Sequence, residues 1–164
     1  MNPGAFNPAS WLHRLPAVDP WSWVLALHAV FAVLWVGGMF FALVVLRLSI
    51  APLDPPQRIA VHNRAFRRFF VVVWHAIAIL LLSGYAMAVF RYGGMAHLPW
   101  NVDVMQAIAW IMTIVFVVIV FGPYRRFRAA ASNARAAAAA ERIRRLILLN
   151  LILGIIVVVV AALG

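Results

Sequence analysis

Two histidines lie inside long apolar runs of the chain, where an ionisable side chain needs a partner. His28 is the one ionisable residue between Val24 and Leu46, and His75 lies early in the run that ends at Phe90. An ionisable group at that depth is costly unless it faces the protein interior. A neutral imidazole can donate one ring hydrogen and offer its second nitrogen to a metal. His28 and His75 are therefore candidate cofactor ligands, and a structural hydrogen-bonding role is the alternative for each.

Imidazole and thioether side chains also gather toward one end of the chain's predicted bundle. The residues concerned are His28, Met87, Met95 and His97. Imidazole with thioether suits copper, particularly copper(I), and the chain has no cysteine to supply a thiolate. Methionine is also common core filling, and a loop histidine is usually solvated. The four residues are a candidate metal site, with ordinary packing and solvation as the alternative.

Four further residues are predicted to support such a site. Trp35 falls on the same helical stripe as His28, so both are expected to face the bundle interior. Gly37 and Gly38 would let a neighbouring helix approach closely. Gln106 could line a polar cavity or form a hydrogen bond across helices.

Four long apolar runs must position these residues: about 22–46, 69–90, 104–122 and 146–163. Each reaches the roughly 17–25 residues that a bilayer-spanning helix needs. The chain is 66% apolar and only 11% charged, which is too little polar surface to cover a soluble particle. We therefore predict an all-α integral membrane protein, a four-helix up-down bundle over residues 21–164. Residues 1–20 are predicted to form an outer interfacial tail, because they are too polar to span and lack a signal-peptide pattern.

The arginines indicate the orientation of this bundle. All fourteen basic residues are arginine, and twelve of them lie in the first and third connections or beside them. The positive-inside rule makes those connections cytoplasmic, so both termini face outward. The net charge of +10 is thereby explained by topology rather than by a nucleic-acid partner. The expected partner is the lipid bilayer, and the expected location is the bacterial inner (plasma) membrane, with multiple passes.

One stretch of the first apolar run resembles a known family. Residues 27–40, LHAVFAVLWVGGMF, look like the first-span motif of the copper-resistance D (CopD) membrane domain, with a histidine, a tryptophan and a small-residue pair. The segment from Arg142 through Asn150 to Gly154 also resembles that family's last span. The same pattern is more distantly similar to the HemJ family, whose members act on protoporphyrinogen and bind b-type haem. Members of that family carry a histidine and a lysine at the start of the third span, where this chain has Val104-Met105-Gln106.

These resemblances leave three functions open. The first is a CopD-like inner-membrane protein that handles copper at or across the membrane. The second is a small b-type haem redox protein, HemJ-like or linked to quinone. In that case His28 and His75 are not expected to share one iron, because helix rise separates them by on the order of 16 Å along the membrane normal. The third is a non-catalytic small subunit, acting as a homo-oligomer or within a larger membrane complex. The sequence alone does not decide whether the protein is an enzyme.

Overall fold

The computed structural model describes residues 19–164, and this part of the chain forms four long helices joined by short connections. The predicted tail therefore lies outside the described residues, except for Asp19 and Pro20 at the start of the first helix. All four helices are long and apolar enough to cross a membrane. The predicted fold class, an all-α four-helix membrane bundle, is confirmed.

The first span, Pro20–Ser49, has three parts. An α-helix over Pro20–Phe40 passes into a π-helical segment, Phe41–Leu46, and ends in one α-turn, Arg47–Ser49. Asp19 caps its start, since the Asp19 side chain accepts a hydrogen bond from the Trp21 amide. A proline in the first turn adds to this start because its missing amide hydrogen is not needed there.

The second span is a single helix, Pro55–Phe90. At 1.5 Å per residue its 36 residues measure about 54 Å, well beyond the roughly 30 Å of a hydrocarbon core. Its basic first part is thus continuous with the membrane part. The predicted boundary at residue 69 marked only where the apolar run begins, because the arginines and alanines before it are good helix formers.

The third and fourth spans follow a short outer connection that contains a 3₁₀ turn, Met95–His97. The third span comprises an α-helix, Trp100–Phe121, and a short helix, Pro123–Arg128, which are separated at Gly122. The break is expected from Gly122-Pro123, because proline lacks the amide hydrogen that would continue the helix. The fourth span, Asn133–Leu163, begins at a Ser132 side chain that accepts a hydrogen bond from the Arg135 amide.

Contacts between neighbouring helices and edge-to-face aromatic pairs both build the bundle core. The third and fourth spans pack closely, as do the first and second, and the first also contacts the fourth. Toward the end of the bundle that carries most of the arginines, aromatic rings fill the space between the second and third spans. Phe70 lies edge-on to Tyr124 at 4.8 Å and to Phe116 at 5.6 Å between ring centroids. Such edge-to-face pairs stabilise beyond their buried area.

The outer surface of the bundle is apolar over the membrane-spanning part of the helices. Val33, Leu82 and Phe90, on two different spans, each expose more than two thirds of their surface. In water this would be a severe aggregation liability, but in a bilayer it is the face that contacts lipid. The protein is therefore a multi-pass membrane protein in contact with lipid.

The orientation of the bundle can be tested with reporter fusions. Twelve arginines at one end resist translocation, so a reporter at Gly164 should give an outside signal and one within 136–140 an inside signal. A fusion in the outer connection, after Gly94, serves as the internal control and should match Gly164. The opposite pattern would contradict the N-out, C-out prediction.

A second prediction concerns a close helix contact in the core. A Cβ added at Gly154 would lie 2.8 Å from Val36 Cγ2, and a β-branched valine has little freedom to move away. Gly154→Ala should therefore destabilise the protein by about 1–3 kcal/mol, seen as a lower thermal midpoint in detergent. The matched control is Gly37→Ala, because nothing lies within 4 Å of a Cβ at Gly37. Equal midpoints for the two variants would show that the first and fourth spans are not tightly packed there.

Candidate functional site

His28 is held by a hydrogen bond to the second span. Its Nδ1 lies 2.8 Å from Ser83 Oγ. The Ser83 hydroxyl has one hydrogen, which it donates to the Ile79 carbonyl oxygen at 2.6 Å. With that hydrogen on Ile79, Ser83 Oγ accepts from His28 Nδ1. In this tautomer the His28 Nε2 atom keeps its lone pair, which is the form of imidazole that can bind a metal.

The surroundings of His28 place it between the first two spans. The ring is partly buried, and a Cβ added at Gly84 would lie 3.4 Å from His28 Cε1. The expectation that His28 faces another helix is met by this contact. Ser83 is the functional partner that sequence reasoning missed. The available signal was the one serine in the second apolar run, at a depth matching His28 in an antiparallel pair of helices.

The stripe below His28 is also turned inward, as predicted. Trp35 and Met39 are both buried. The two glycines beside them differ in their surroundings. A Cβ at Gly38 would lie 2.8 Å from the Phe69 ring, whereas nothing lies within 4 Å of a Cβ at Gly37. Of the two glycines that were expected to admit a neighbouring helix, Gly38 makes the close approach and Gly37 does not. Gly38 alone is therefore the packing glycine of the pair.

A second polar group lies at the centre of the bundle, where two methionines converge. The methyl carbons of Met39 and Met112 lie within 3.6 Å of the position that a Cβ on Gly154 would take. One turn away, Asn150 is 1% exposed and donates from Nδ2 to the Met112 carbonyl oxygen at 3.0 Å. Asn150 Oδ1 is buried and has no hydrogen-bond partner among the described residues. A buried acceptor without a donor is costly, so this amide oxygen is a candidate ligand atom.

The outer residues predicted to join His28 are only partly gathered. Met87 is buried one turn beyond Ser83, on the same face of the second span. Met95 and His97 are exposed, on the 3₁₀ turn of the outer connection. Within residues 19–164, no group of three or more histidine and acidic side chains is arranged to hold a metal ion. Any outer copper site must therefore depend on thioethers as well as imidazole.

His75 is placed differently from His28. It is exposed on the surface of the second span, and its Nδ1 donates to the Val71 carbonyl oxygen at 2.7 Å. This hydrogen bond lies within one helix, because Val71 also belongs to the second span. A bond from His75 to a neighbouring helix was expected if the histidine is structural, and it is not formed. His75 lies eight residues before Ser83, about 12 Å at 1.5 Å per residue, and on another face. The structure therefore does not bring His28 and His75 together.

Gln106 forms the cross-helix hydrogen bond that was one of its two predicted roles. Its Nε2 donates to the hydroxyl oxygen of Tyr85 at 2.9 Å, and Trp110 Nε1 donates to the same oxygen at 3.0 Å. These bonds join the outer halves of the second and third spans. Gln106 is thus already engaged by a neighbour and is not an open ligand in this structure.

The four membrane-spanning helices and the polar contacts between them define the class of protein. The chain is a multi-pass helical membrane protein with an imidazole that contacts Ser83 between its first two spans and thioethers in its core. The family model of Copper resistance protein D matches residues 63–163, well over half of the chain, and the chain belongs to this family. No curated protein and no solved structure matches the chain. The matched residues include Ser83, Met112 and Asn150, but they begin after the first-span motif that contains His28.

The Tyr85 junction yields a prediction about stability. Tyr85→Phe removes the acceptor shared by Gln106 and Trp110 and leaves two donors without a partner. Each lost bond should cost about 0.6–1.5 kcal/mol, so the thermal midpoint in detergent should fall. Tyr92→Phe is the control, because Tyr92 is exposed in the outer connection. A midpoint unchanged in Tyr85→Phe would show that the junction contributes nothing to holding these spans together.

Proposed function

We propose that the protein handles copper as its substrate at or across the bacterial inner membrane. The observation that carries this proposal is the His28–Ser83 hydrogen bond, which leaves the Nε2 lone pair free in the outer half of the bundle. Membership of the copper resistance protein D family supports the choice of metal. With the termini outward, copper would meet His28 from the outer side.

The residues present suit copper(I) in particular. Imidazole and thioether are donors that copper(I) accepts, and no thiolate is needed. Met87 lies one turn beyond the serine that holds His28, so its sulfur is the nearest thioether on that face of the second span. Met95 and His97, on the 3₁₀ turn outside it, would serve as mobile capture ligands. In this proposal His28 receives the ion and Ser83 keeps its ring correctly oriented.

The central methionines favour passage through the bundle over storage at its outer end. Met39, Met112 and the unpartnered Oδ1 of Asn150 supply a second set of soft and oxygen donors deeper in the protein. A conducting path needs more than one site of moderate affinity, so that an ion can leave each site as well as enter it. The outer and central donors would be two such sites.

A b-type haem is the second candidate, and one observation favours it. His75, like His28, has its Nδ1 hydrogen engaged and its Nε2 free, because a carbonyl oxygen can only accept. Bound haem would supply one-electron redox chemistry. His75 faces outward from the isolated chain, so a ligand there would sit at a contact with lipid, a second copy or a larger complex.

The copper proposal is tested by metal content and affinity. Wild-type protein in detergent should bind copper(I), and His28→Ala should lose most of that binding while still folding as a monodisperse species. Ser83→Ala should weaken copper(I) affinity by roughly 10–100-fold, as expected for the loss of an orienting partner. His75→Ala is the intramembrane control and should bind copper like the wild type. Full copper retention by His28→Ala would overturn the role of His28.

The same samples separate the haem candidate from copper. Dithionite-reduced absorption spectra of the wild type and of His75→Ala would reveal a b-type haem and its dependence on His75. We expect no haem loss specific to His75→Ala if copper is the substrate. A haem spectrum that disappears in His75→Ala, with no copper binding by the wild type, would replace the copper proposal with the redox one.

A further inference from the structure

A pocket of about 380 Å³ opens at the cytoplasmic end of the bundle, far from His28. It lies where the ends of the first, second and fourth spans meet, and Phe127 of the third span closes one side. Its size is within the range of pockets that bind small molecules. Nothing in the copper proposal uses this pocket.

The lining of the pocket has an apolar part and a basic part. Leu43, Ile59, Phe66, Phe127 and Ile147 form the apolar part. The basic part contains three arginines against one carboxylate: Arg47, Arg58, Arg144 and Glu141. The lining therefore carries a net formal charge of about +2 from these four groups, which favours an anion.

Arg144 is the residue that points most directly to an anionic ligand. One of its terminal nitrogens pairs with Glu141, which also accepts from Arg145 Nε at 3.2 Å. The Nε atom of Arg144 is buried and has no hydrogen-bond partner among the described residues. The Arg144 side chain as a whole is 37% exposed at the pocket, so its guanidinium can be reached by a ligand. A phosphate oxygen is an acceptor that arginine binds well.

The first span is irregular where it borders this pocket. Its π-helical segment, Phe41–Leu46, supplies Ala42 and Leu43 to the lining. π-helical turns are rare, and they occur frequently at functional sites. The small side chain of Ala42 and the wider helical turn leave room in the wall of the pocket.

The depth of the pocket identifies the kind of anion. The apolar runs end near Leu46 on the first span and begin near Leu146 on the fourth, so Arg47 and Arg144 lie at the level of the headgroups, which the arginine distribution predicts to be cytoplasmic. The apolar part of the lining then faces the start of the acyl chains. Basic pockets between spans on the cytoplasmic side suit anionic lipid headgroups. We propose that this pocket binds the phosphate headgroup of an anionic phospholipid from the cytoplasmic leaflet.

Purified full-length protein in a neutral detergent provides the test. Phosphatidylglycerol, phosphatidylcholine and inorganic phosphate are added separately, and bound lipid is measured by native mass spectrometry alongside the thermal midpoint. Phosphatidylglycerol should bind and raise the midpoint, with phosphatidylcholine bound at least fivefold more weakly. Equal binding of the two lipids would overturn the proposal, as would displacement of phosphatidylglycerol by equimolar inorganic phosphate, which would indicate a soluble anion instead.

Two pairs of variants locate the binding. Arg144→Gln should weaken phosphatidylglycerol binding at least fivefold, whereas Arg145→Gln should change it less than twofold, since both arginines pair with Glu141 but only Arg144 lines the pocket. Ala140→Leu fills the pocket without changing charge and should also weaken binding, whereas Ala138→Leu, outside the lining, should not. If Arg144→Gln cannot be purified, the comparison of Ala140→Leu with Ala138→Leu tests the site instead. Equal lipid binding by the two variants of a pair would overturn the assignment of the lipid to this pocket.

Discussion

Hydrocarbon offers no hydrogen-bond partner, so each polar side chain inside this bundle must find one within the protein. Most do so by the shortest route: the hydroxyls of Ser83 and Thr113 donate to carbonyl oxygens four residues earlier on their own helices. The imidazole of His75 does the same toward Val71. These bonds satisfy the side chain but tie no two helices together. The few polar contacts that cross between helices therefore have particular weight.

Three such contacts connect the spans at different depths. His28 and Ser83 join the first and second, Tyr85 with Gln106 and Trp110 joins the second and third, and Asn150 joins the fourth to the Met112 carbonyl of the third. Elsewhere the bundle depends on shape, through Gly38 against Phe69 and Gly154 against Val36. Membrane helices gain little from burying apolar surface against each other, so close packing and polar contacts must supply the specificity. Small residues provide the close packing, and a few polar side chains provide the contacts between helices.

The sequence was sufficient for the fold because the signals that decide it are local. Apolar length and the Gly122-Pro123 break are read directly from neighbouring residues. The inward direction of Trp35 followed from helical periodicity alone. What could not be predicted depends on which helix stands beside which. The His28–Ser83 pair spans 55 positions, and nothing in either run reveals its partner's rotation about the helix axis.

The same limit explains the mixed outcome for the small residues and the candidate ligands. Gly37 and Gly38 are adjacent, so they point about 100° apart on a helix, and only a neighbouring helix decides which of them is useful. Phe69 lies against Gly38. His75 and His28 are both single histidines in apolar runs, yet one faces outward and the other meets Ser83. Periodicity predicts which residues share a face of one helix, but not which neighbouring helix that face contacts.

The family match covers Ser83 but not His28, although the two side chains are in hydrogen-bond contact. The matched residues begin at position 63, so the histidine itself is placed by the first-span motif and not by the match. Ser83 is within the match, and its hydroxyl donates a hydrogen bond to the Ile79 carbonyl oxygen. A serine that donates to its own helix accepts from the imidazole beside it, and in that arrangement the ring keeps its lone pair on Nε2. The orientation of the His28 ring on the first span therefore depends on a residue of the second span that the family match covers.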